Sequence, residues 1–203
     1  MAVSAAVVLL AGGLSRRMGG GDKNLMMFGG LPLMARVIKR IDLALMPAMI
    51  NANGDPARYA DFGLPVRPDV LAGYAGPLAG ILTGFDWVRQ AHPECSHMVS
   101  LATDAPFLPY DLIPRLIDGL ADGGADVAQA MSCGRRHPVF AVWSMALADD
   151  LHRAVMDEGV RKIDDFTARH RCVTVEFSGT PDPFMNLNRP DDVAAAQAFL
   201  SAE

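Results

Sequence analysis

A glycine-rich, cationic segment follows directly on a short apolar run near the start of the chain. Residues 5–10 (AAVVLL) are uninterrupted apolar residues, a pattern typical of a strand buried on both faces of a parallel sheet. Residues 10–23 (LAGGLSRRMGGGDK) then hold five glycines and three cations. Glycines let backbone amides approach a ligand closely, and open α/β sheets bind ligands at the carboxyl ends of their strands. The segment therefore predicts an α/β fold with a binding site for phosphate groups.

The cations of this segment are suited to a polyphosphate. Arg16 and Arg17 can each donate paired hydrogen bonds to phosphate oxygens, and Lys23 carries a compact charge on a flexible side chain. These cations outnumber the one carboxylate of the segment, Asp22, in a chain whose net charge is −5. The alternative is an ordinary mobile surface loop with solvated arginines, and the position of the loop after the first strand argues against it.

Two better-known phosphate-binding loops do not fit the sequence. A P-loop requires a Gly-Lys pair before its Ser or Thr, and no Gly-Lys pair occurs in the chain. In a dinucleotide-binding fingerprint, a third glycine would stand where the chain has Arg17. The pattern therefore argues against both a P-loop NTPase and a Rossmann dehydrogenase.

Length and composition limit the domain organisation and the partners. We expect one α/β domain over residues 1–203. The acidic net charge argues against a nucleic-acid partner, since tracking a phosphate backbone requires a basic face. Cys95, Cys133 and Cys172 are isolated in sequence, so neither a zinc site nor a disulfide framework is expected, and we predict a cytoplasmic location. No run reaches the roughly 18 apolar residues of a membrane helix, so no membrane association is expected.

Strand-like and helix-like patterns alternate along the chain. Strands are predicted at 5–10, 48–52, 64–66, 97–102, 125–131, 137–143 and 171–177. Helices are predicted at 32–45, from the end of the loop 69–78 to about residue 91, and at 109–120, 145–156, 160–168 and 191–200. Asp55 is expected to cap a further short helix. The alternation predicts a single three-layer α/β/α domain with a mostly parallel, twisted sheet.

A carboxylate follows the strand 97–102. Asp104 can hold Mg²⁺ together with substrate phosphates and waters, because this ion is commonly bound through one or two carboxylates. If the sheet is wound as predicted, this strand lies beside the first strand, and Asp104 faces the glycine-rich segment. The alternative is a turn or helix-capping aspartate with no ligand.

The motifs together resemble a known family. The opening pattern Leu-Ala-Gly-Gly-x-Ser-x-Arg-Met-Gly-Gly-x-Asp-Lys is similar to that of nucleotidyltransferases, and this version resembles the molybdenum cofactor guanylyltransferases. Further matches, in chain order, are Asn51-Ala52-Asn53, Pro68-Asp69, Gly76-Pro77-Leu78-Ala79-Gly80, Thr103-Asp104-Ala105-Pro106-Phe107, His137-Pro138 and Asn186-Leu187-Asn188-Arg189-Pro190. The resemblance implies a Rossmann-like nucleotidyltransferase domain that transfers GMP from MgGTP to the terminal phosphate of molybdopterin, releasing pyrophosphate.

The resemblance also implies roles for particular residues. Catalytic roles fall to Arg16, Arg17, Lys23 and Asp104, with Mg²⁺ on Asp104. Nucleotide contacts fall to Leu10, Ala11, Gly12, Gly13, Lys23, Asn51, Asp69, Gly76, Pro77, Leu78 and Asp104, the first three through their backbone. Asp69 would bind either the N1–H and N2–H of guanine or the sugar hydroxyls. Pterin contacts fall to Arg161, Asn186 and Asn188.

The implied substrates are GTP and molybdopterin or Mo-molybdopterin, with proteins that donate molybdopterin and molybdoenzymes that accept the product as expected partners. A cytidylyltransferase acting on the same pterin is the first alternative, and Gly12-Gly13 with residues 76–80 favours guanine. A sugar-phosphate nucleotidyltransferase and a non-catalytic module that binds GTP or delivers the cofactor are further alternatives. His137 is either a structural strand histidine or part of the site, and its sequence context does not decide between them.

Overall fold

The structure is a computed structural model that describes residues 4–12, 22–44, 46–71, 73 and 76–200. Its strands are β1 (Ala5–Leu10), β2 (Met27–Phe28), β3 (Leu31–Pro32), β4 (Ala48–Asn51), β5 (Val66–Arg67), β6 (His97–Ala102), β7 (Val127–Ser132), β8 (Arg135–Ser144) and β9 (Cys172–Glu176). Its α-helices are α1 (Leu33–Arg40), α2 (Pro77–Ala91), α3 (Leu112–Gly123), α4 (Ala148–Met156), α5 (Ile163–Thr167) and α6 (Pro190–Leu200). Short 3₁₀ helices cover Lys23–Leu25, Pro56–Phe62 and Met145–Leu147.

Seven of the described strands form one twisted sheet in the order β5-β4-β1-β6-β8-β7-β9. All neighbours pair in parallel except at β8, which runs antiparallel to both β6 and β7. The predicted pairing of the first strand with the strand 97–102 is confirmed, since Leu10 lies opposite Ala102. A mostly parallel sheet was therefore predicted correctly.

The apolar residues of β1 alternate between two cores, as the period of a strand requires. Val7 and Leu9 pack in a core with α1 and α3 on one face, whereas Ala6 and Val8 pack with α2, α4 and α5 on the other. The predicted three-layer α/β/α arrangement is confirmed. No helix in the described part of the chain is long and apolar enough to cross a membrane.

The antiparallel strand β8 arises from a tight turn. Cys133 and Gly134 join β7 to β8, and both have positive φ, 49° and 72°. Two successive residues with positive φ make the turn that best matches the twist of a hairpin. The sequence analysis placed both strands but did not predict this pairing, because a Cys-Gly pair is not a strong turn signal.

Some element boundaries differ from the prediction. Helix α1 ends at Arg40 instead of residue 45, since the backbone is extended at Ile41. Helix α3 begins at Leu112 instead of residue 109, with Asp111 at its N-cap position. The hairpin of β2 and β3 was not predicted, because strands of two residues show no periodicity. Asp55 caps the 3₁₀ helix 56–62 by accepting a hydrogen bond from the amide of Ala57, as expected.

Candidate active site

A cleft of about 730 Å³ lies where β5, β4, β1 and β6 end. This size falls in the range of small-molecule sites, roughly 300–1,000 Å³. The cleft is lined by Leu10, Ala11, Gly12, Lys23, Asn24, Asn51, Asn53, Asp69, Gly76, Pro77, Gly80, Ala102, Thr103, Asp104, Val139 and Asn186. Because parallel strands deliver their carboxyl ends to one edge, residues at or just after the ends of four strands meet there.

One end of the cleft holds a lysine and a carboxylate in direct contact. The Nζ atom of Lys23 lies 2.6 Å from Oδ2 of Asp104, and both side chains are largely buried, at 13% and 24% exposure. Lys23 stands in the 3₁₀ helix that follows the glycine-rich segment, and Asp104 lies two residues after β6. The sequence analysis expected Asp104 to face the glycine-rich segment, and the structure places it against Lys23, the last residue of that segment.

The segment 186–188 closes this end of the cleft. The amide of Leu187 donates to the backbone carbonyl of Asp104 at 3.1 Å, which fixes the segment beside the carboxylate. Asn188 accepts a hydrogen bond from Nζ of Lys23 through its side-chain oxygen. Asp192, in the first turn of α6, accepts from the amides of Asn188 and Arg189 and thereby holds the chain in place. The two asparagines assigned to the pterin are thus neighbours of Lys23 and Asp104.

Two buried oxygens at this end fit a hard divalent cation. Oδ1 of Asp104 and Oδ1 of Asn186 have no hydrogen-bond donor among the described residues. Leaving such groups without a partner costs free energy, and Mg²⁺ prefers carboxylate and amide oxygens as ligands. The described residues contain no cluster of three acidic, histidine or cysteine side chains that could hold a metal alone. A site that takes its remaining ligands from a substrate and water matches this donor set.

The other end of the cleft holds a clamped carboxylate. Asn51 donates to one oxygen of Asp69 at 3.0 Å, and Asn53 donates to the other at 2.8 Å. The side-chain oxygen of Asn53 also accepts the backbone amide of Asp69 at 2.9 Å. Asp69 is therefore held in one orientation as a hydrogen-bond acceptor.

The start of α2 approaches the sheet so closely that it requires glycine. A Cβ on Gly80 would lie 2.3 Å from Oδ1 of Asn51 and 2.8 Å from Cδ2 of Leu10. Gly76, at the N-cap, has a φ of 149°. Leu78, predicted to contact the nucleotide, is fully buried in the core beneath α2 and does not line the cleft. Its side chain faces the sheet because it lies on the apolar side of the helix.

Some backbone groups of the first loop that were predicted to contact the nucleotide form hydrogen bonds within the protein instead. The amide of Ala11 donates to the carbonyl of Asn51 at 2.9 Å, so it extends the β1–β4 pairing and is not directed at the cleft. The carbonyl of Leu10 accepts from Oγ1 of Thr103. Gly12 is exposed at the cleft. Gly13, Arg16 and Arg17 lie outside the described residues, so their predicted roles stay predictions.

Two basic residues of the second half differ in their placement. The backbone of Arg161 passes beside the start of α2, where a Cβ on Gly76 would lie 3.4 Å from the Arg161 carbonyl. Arg136 forms an exposed ion pair with Asp164 at 3.6 Å. Arg161 therefore borders the cleft through its backbone, whereas Arg136 belongs to the surface.

His137 belongs to a polar network with Ser132 and Asp182. Its Nε2 lies 2.8 Å from the hydroxyl of Ser132, which donates to Asp182 at 2.7 Å. Its ring stacks on Phe184, with centroids 4.7 Å apart. Burial lowers the pKa of His137 below its ordinary value of 6.5. These contacts favour the structural interpretation of this histidine.

Sequence reasoning missed three polar residues near the end of the cleft that holds Lys23 and Asp104. Asn24 is 5% exposed and donates to the hydroxyl of Tyr59 at 3.1 Å. Arg58 forms an ion pair with Asp22. Asn24 could have been found from its position directly after Lys23. Arg58 and Tyr59 carry no local signal, since they reach this place only through the fold.

The fold has solved relatives. The crystal structure of molybdopterin-guanine dinucleotide biosynthesis protein A from Archaeoglobus fulgidus superimposes with a TM-score of 0.76. It is 24% identical to this chain, with 98% of this chain and all of that chain covered. The two proteins therefore share one α/β fold.

Sequence comparisons narrow the class to a family. The profile of the MobA-like NTP transferase domain matches residues 7–173. A molybdenum cofactor guanylyltransferase of Rhodopseudomonas palustris (strain BisB5) is 50% identical over 94% of this chain and 91% of its own length. One of Bradyrhizobium sp. (strain ORS 278) is 47% identical over 97% of this chain and 93% of its own length. The chain belongs to the MobA-like NTP transferase family.

Proposed function

We propose that the protein transfers GMP from GTP to the terminal phosphate of molybdopterin, giving the guanine dinucleotide cofactor and pyrophosphate. The observation that carries the proposal is the contact between Lys23, in the 3₁₀ helix after the glycine-rich segment, and Asp104, just after β6. It stands in a chain whose relatives are named molybdenum cofactor guanylyltransferases. The name of the structural relative from Archaeoglobus fulgidus, molybdopterin-guanine dinucleotide biosynthesis protein A, is consistent with the same reaction.

The proposed reaction needs no protein nucleophile. An oxygen of the pterin phosphate attacks the α-phosphorus of GTP, a new P–O bond forms, and the bond from the α-phosphorus to the bridging oxygen of the β-phosphate breaks. The electron pair of that bond leaves with pyrophosphate. A phosphate monoester is largely doubly ionised at pH 7 because its second pKa is about 6. Catalysis then consists of positioning the two phosphates and neutralising their charge.

The end of the cleft that holds Lys23 and Asp104, here called the phosphate end, supplies groups for both tasks. Lys23 would donate to the phosphates of GTP, and Arg16 and Arg17 are proposed as further donors. Asp104 and Asn186 would hold Mg²⁺ through the oxygens that lack a donor among the described residues. When bound, this ion neutralises charge on the triphosphate and on the leaving pyrophosphate. Asn188, which contacts Lys23, Asn186 and Arg161 are proposed to lie near the pterin phosphate.

The other end of the cleft is proposed to select the base. A carboxylate held as an acceptor suits a partner that presents two adjacent donors, and N1–H with N2–H of guanine is such a partner. Asp69 is held in this way by Asn51 and Asn53. Cytosine presents one amino group beside an acceptor nitrogen, which would face the same carboxylate unfavourably. Contact of Asp69 with the sugar hydroxyls is the alternative arrangement.

The test is a side-by-side assay of the purified chain with molybdopterin and Mg²⁺. Pyrophosphate release and the mass of the pterin product are measured with GTP and with CTP at equal concentration. We expect GMP transfer with GTP and on the order of tenfold less turnover, or lower still, with CTP. Preference for CTP would identify a cytidylyltransferase. Tight GTP binding without any turnover would identify a non-catalytic binding module.

Two further expectations belong to this proposal. Contacts with a protein that donates molybdopterin and with molybdoenzymes that accept the product are proposed from the chemistry of the pathway step, which takes up one pterin and releases another. A cytoplasmic setting is proposed from the cysteines, all three of which are free thiols. Affinity capture with the tagged chain as bait, followed by identification of the bound proteins, would test the partners. Cell fractionation would test the location.

A further inference from the structure

The two sequence neighbours of Lys23 both contact the 3₁₀ helix 56–62. Asp22 forms an ion pair with Arg58, and Asn24 donates to the hydroxyl of Tyr59 at 3.1 Å. Arg58 and Tyr59 are consecutive residues of the 3₁₀ helix 56–62. The residue before the lysine and the residue after it are therefore both fixed by the same short helix.

Each of the three nitrogens of the Arg58 guanidinium donates a hydrogen bond. Its Nη1 donates to Asp22, its Nε donates to the carbonyl of Asp55 at 2.9 Å, and its Nη2 donates to the carbonyl of Asn53 at 2.6 Å. Since a guanidinium is planar, three acceptors on three of its nitrogens fix its orientation. Asn53 is also the residue that clamps Asp69 at the other end of the cleft.

The partner residues are buried enough for the geometry to hold. Tyr59 is 1% exposed and Asn24 is 5% exposed, so their hydrogen bond is shielded from water. Burial is the main cause that raises the pKa of Tyr59, so its hydroxyl stays protonated at neutral pH. Asn24 also reaches the carbonyl of Ala11 at 3.4 Å, which ties this turn to the end of β1.

We infer that Arg58, with Tyr59 beside it, is a positioning residue that sets Lys23 at the phosphate end of the cleft. The inference rests on the proposed function, because it assigns Lys23 to the phosphates of GTP. Arg58 itself touches neither Lys23 nor Asp104 and acts through Asp22 and the turn 22–24. The same guanidinium joins this turn to Asn53, so it fixes the distance between the phosphate end and the base end.

The experiment is a double-mutant cycle on GTP binding, measured by titration calorimetry in the presence of Mg²⁺. Lys23→Met and Arg58→Met are measured alone and together, with Arg89→Met as the matched control. Arg89 forms an exposed ion pair with Asp149 at 2.7 Å, away from the cleft. Asp22→Asn is the second variant, since it removes only the ion pair and keeps Arg58 on its two carbonyls.

We expect Arg58→Met to weaken GTP binding roughly five- to twentyfold and Asp22→Asn to weaken it in the same direction by less. The double variant should bind GTP nearly as well as Lys23→Met alone, because a misplaced lysine contributes little. If Arg58 only stabilised the fold, the losses of GTP affinity in the two single variants would multiply in the double variant. Arg89→Met should stay within about twofold of the unmodified chain.

Two results would overturn the inference: an unchanged affinity in both Arg58→Met and Asp22→Asn, or penalties of Lys23→Met and Arg58→Met that multiply. Failure of the proposed function has a different signature, since Lys23→Met would then leave GTP binding unchanged. Should Arg58→Met fail to fold, as shown by circular dichroism, Asp22→Asn in a cycle with Lys23→Met decides the matter on the same criteria.

Discussion

The ammonium of Lys23 lies 2.6 Å from a carboxylate oxygen of Asp104, although 81 positions separate them in sequence. The strands β1 and β6 run side by side and end together, so the segments that follow them can meet at one edge of the sheet. Asp104 also keeps one buried oxygen without a donor among the described residues. A cation on a flexible side chain and a carboxylate with an available oxygen are what a magnesium–triphosphate site requires.

Removing either member of this pair should lower turnover roughly 30- to 900-fold and keep the fold. We expect Lys23→Met and Asp104→Asn to raise the activation barrier by about 2–4 kcal/mol each, as for other groups that stabilise developing charge. The measurement is the rate of pyrophosphate release at saturating GTP. Lys39→Met, on the exposed face of α1, is the control and should keep full activity. Near-normal turnover of either variant would refute the role assigned to the pair.

Substitutions at two glycines of α2 should distinguish an effect on core packing from an effect on nucleotide binding. Gly80→Ala would place a Cβ 2.3 Å from Asn51, whereas Gly84→Ala would place one 2.7 Å from Met98 and Val8 in the core. Both should lower the free energy of unfolding by about 1–3 kcal/mol. Only Gly80→Ala should also raise the KM for GTP, because it displaces Asn51 and thereby Asp69. Equal KM values for the two variants would show that Asn51 does not orient the nucleotide site.

Selection of guanine should depend on Asp69. An amide at this position can turn a donor towards the base, so Asp69→Asn should lower kcat/KM for GTP on the order of tenfold or more and reduce the GTP-to-CTP ratio. Asp61→Asn, at an exposed position of the 3₁₀ helix 56–62, is the matched control and should change neither value. A loss of activity that is equal for GTP and CTP would place Asp69 on the sugar instead of the base.

The burial of His137 should make stability depend on pH. Burial lowers its pKa from the ordinary 6.5, so the unfolded chain binds more protons than the native state as the pH falls to that value and below. The free energy of unfolding should therefore decrease as the pH falls below the ordinary pKa of 6.5. His137→Gln removes this contribution, and its pH dependence, measured by urea denaturation, should be flatter. A slope identical to that of the unmodified chain would contradict the burial of His137.

The fold could be predicted from the sequence where periodicity was long enough. The runs 5–10 and 97–102 gave strands with the observed limits, and their alternation with helices gave the three layers. The antiparallel β8 could not be predicted, because its direction depends on the turn at Cys133 and Gly134. The hairpin of β2 and β3 is too short to leave a pattern.

The candidate site was predictable where chemistry and position coincide. Asp104 follows a strand that was predicted to lie beside the first strand, so its approach to the glycine-rich segment could be inferred from topology. Leu78 was assigned to the nucleotide from its motif, yet its side chain faces the core. Arg58 could not be found, since its contacts with Asp22 and Asn53 come from the fold and not from spacing.

The most direct test is a crystal structure of the chain with GTP and Mg²⁺. The account predicts a metal ion on Asp104, triphosphate oxygens within hydrogen-bond distance of Lys23, and the guanine edge or ribose against Asp69. A nucleotide bound outside this cleft, or one held in it with Lys23 and Asp104 both remote from its phosphates, would contradict it.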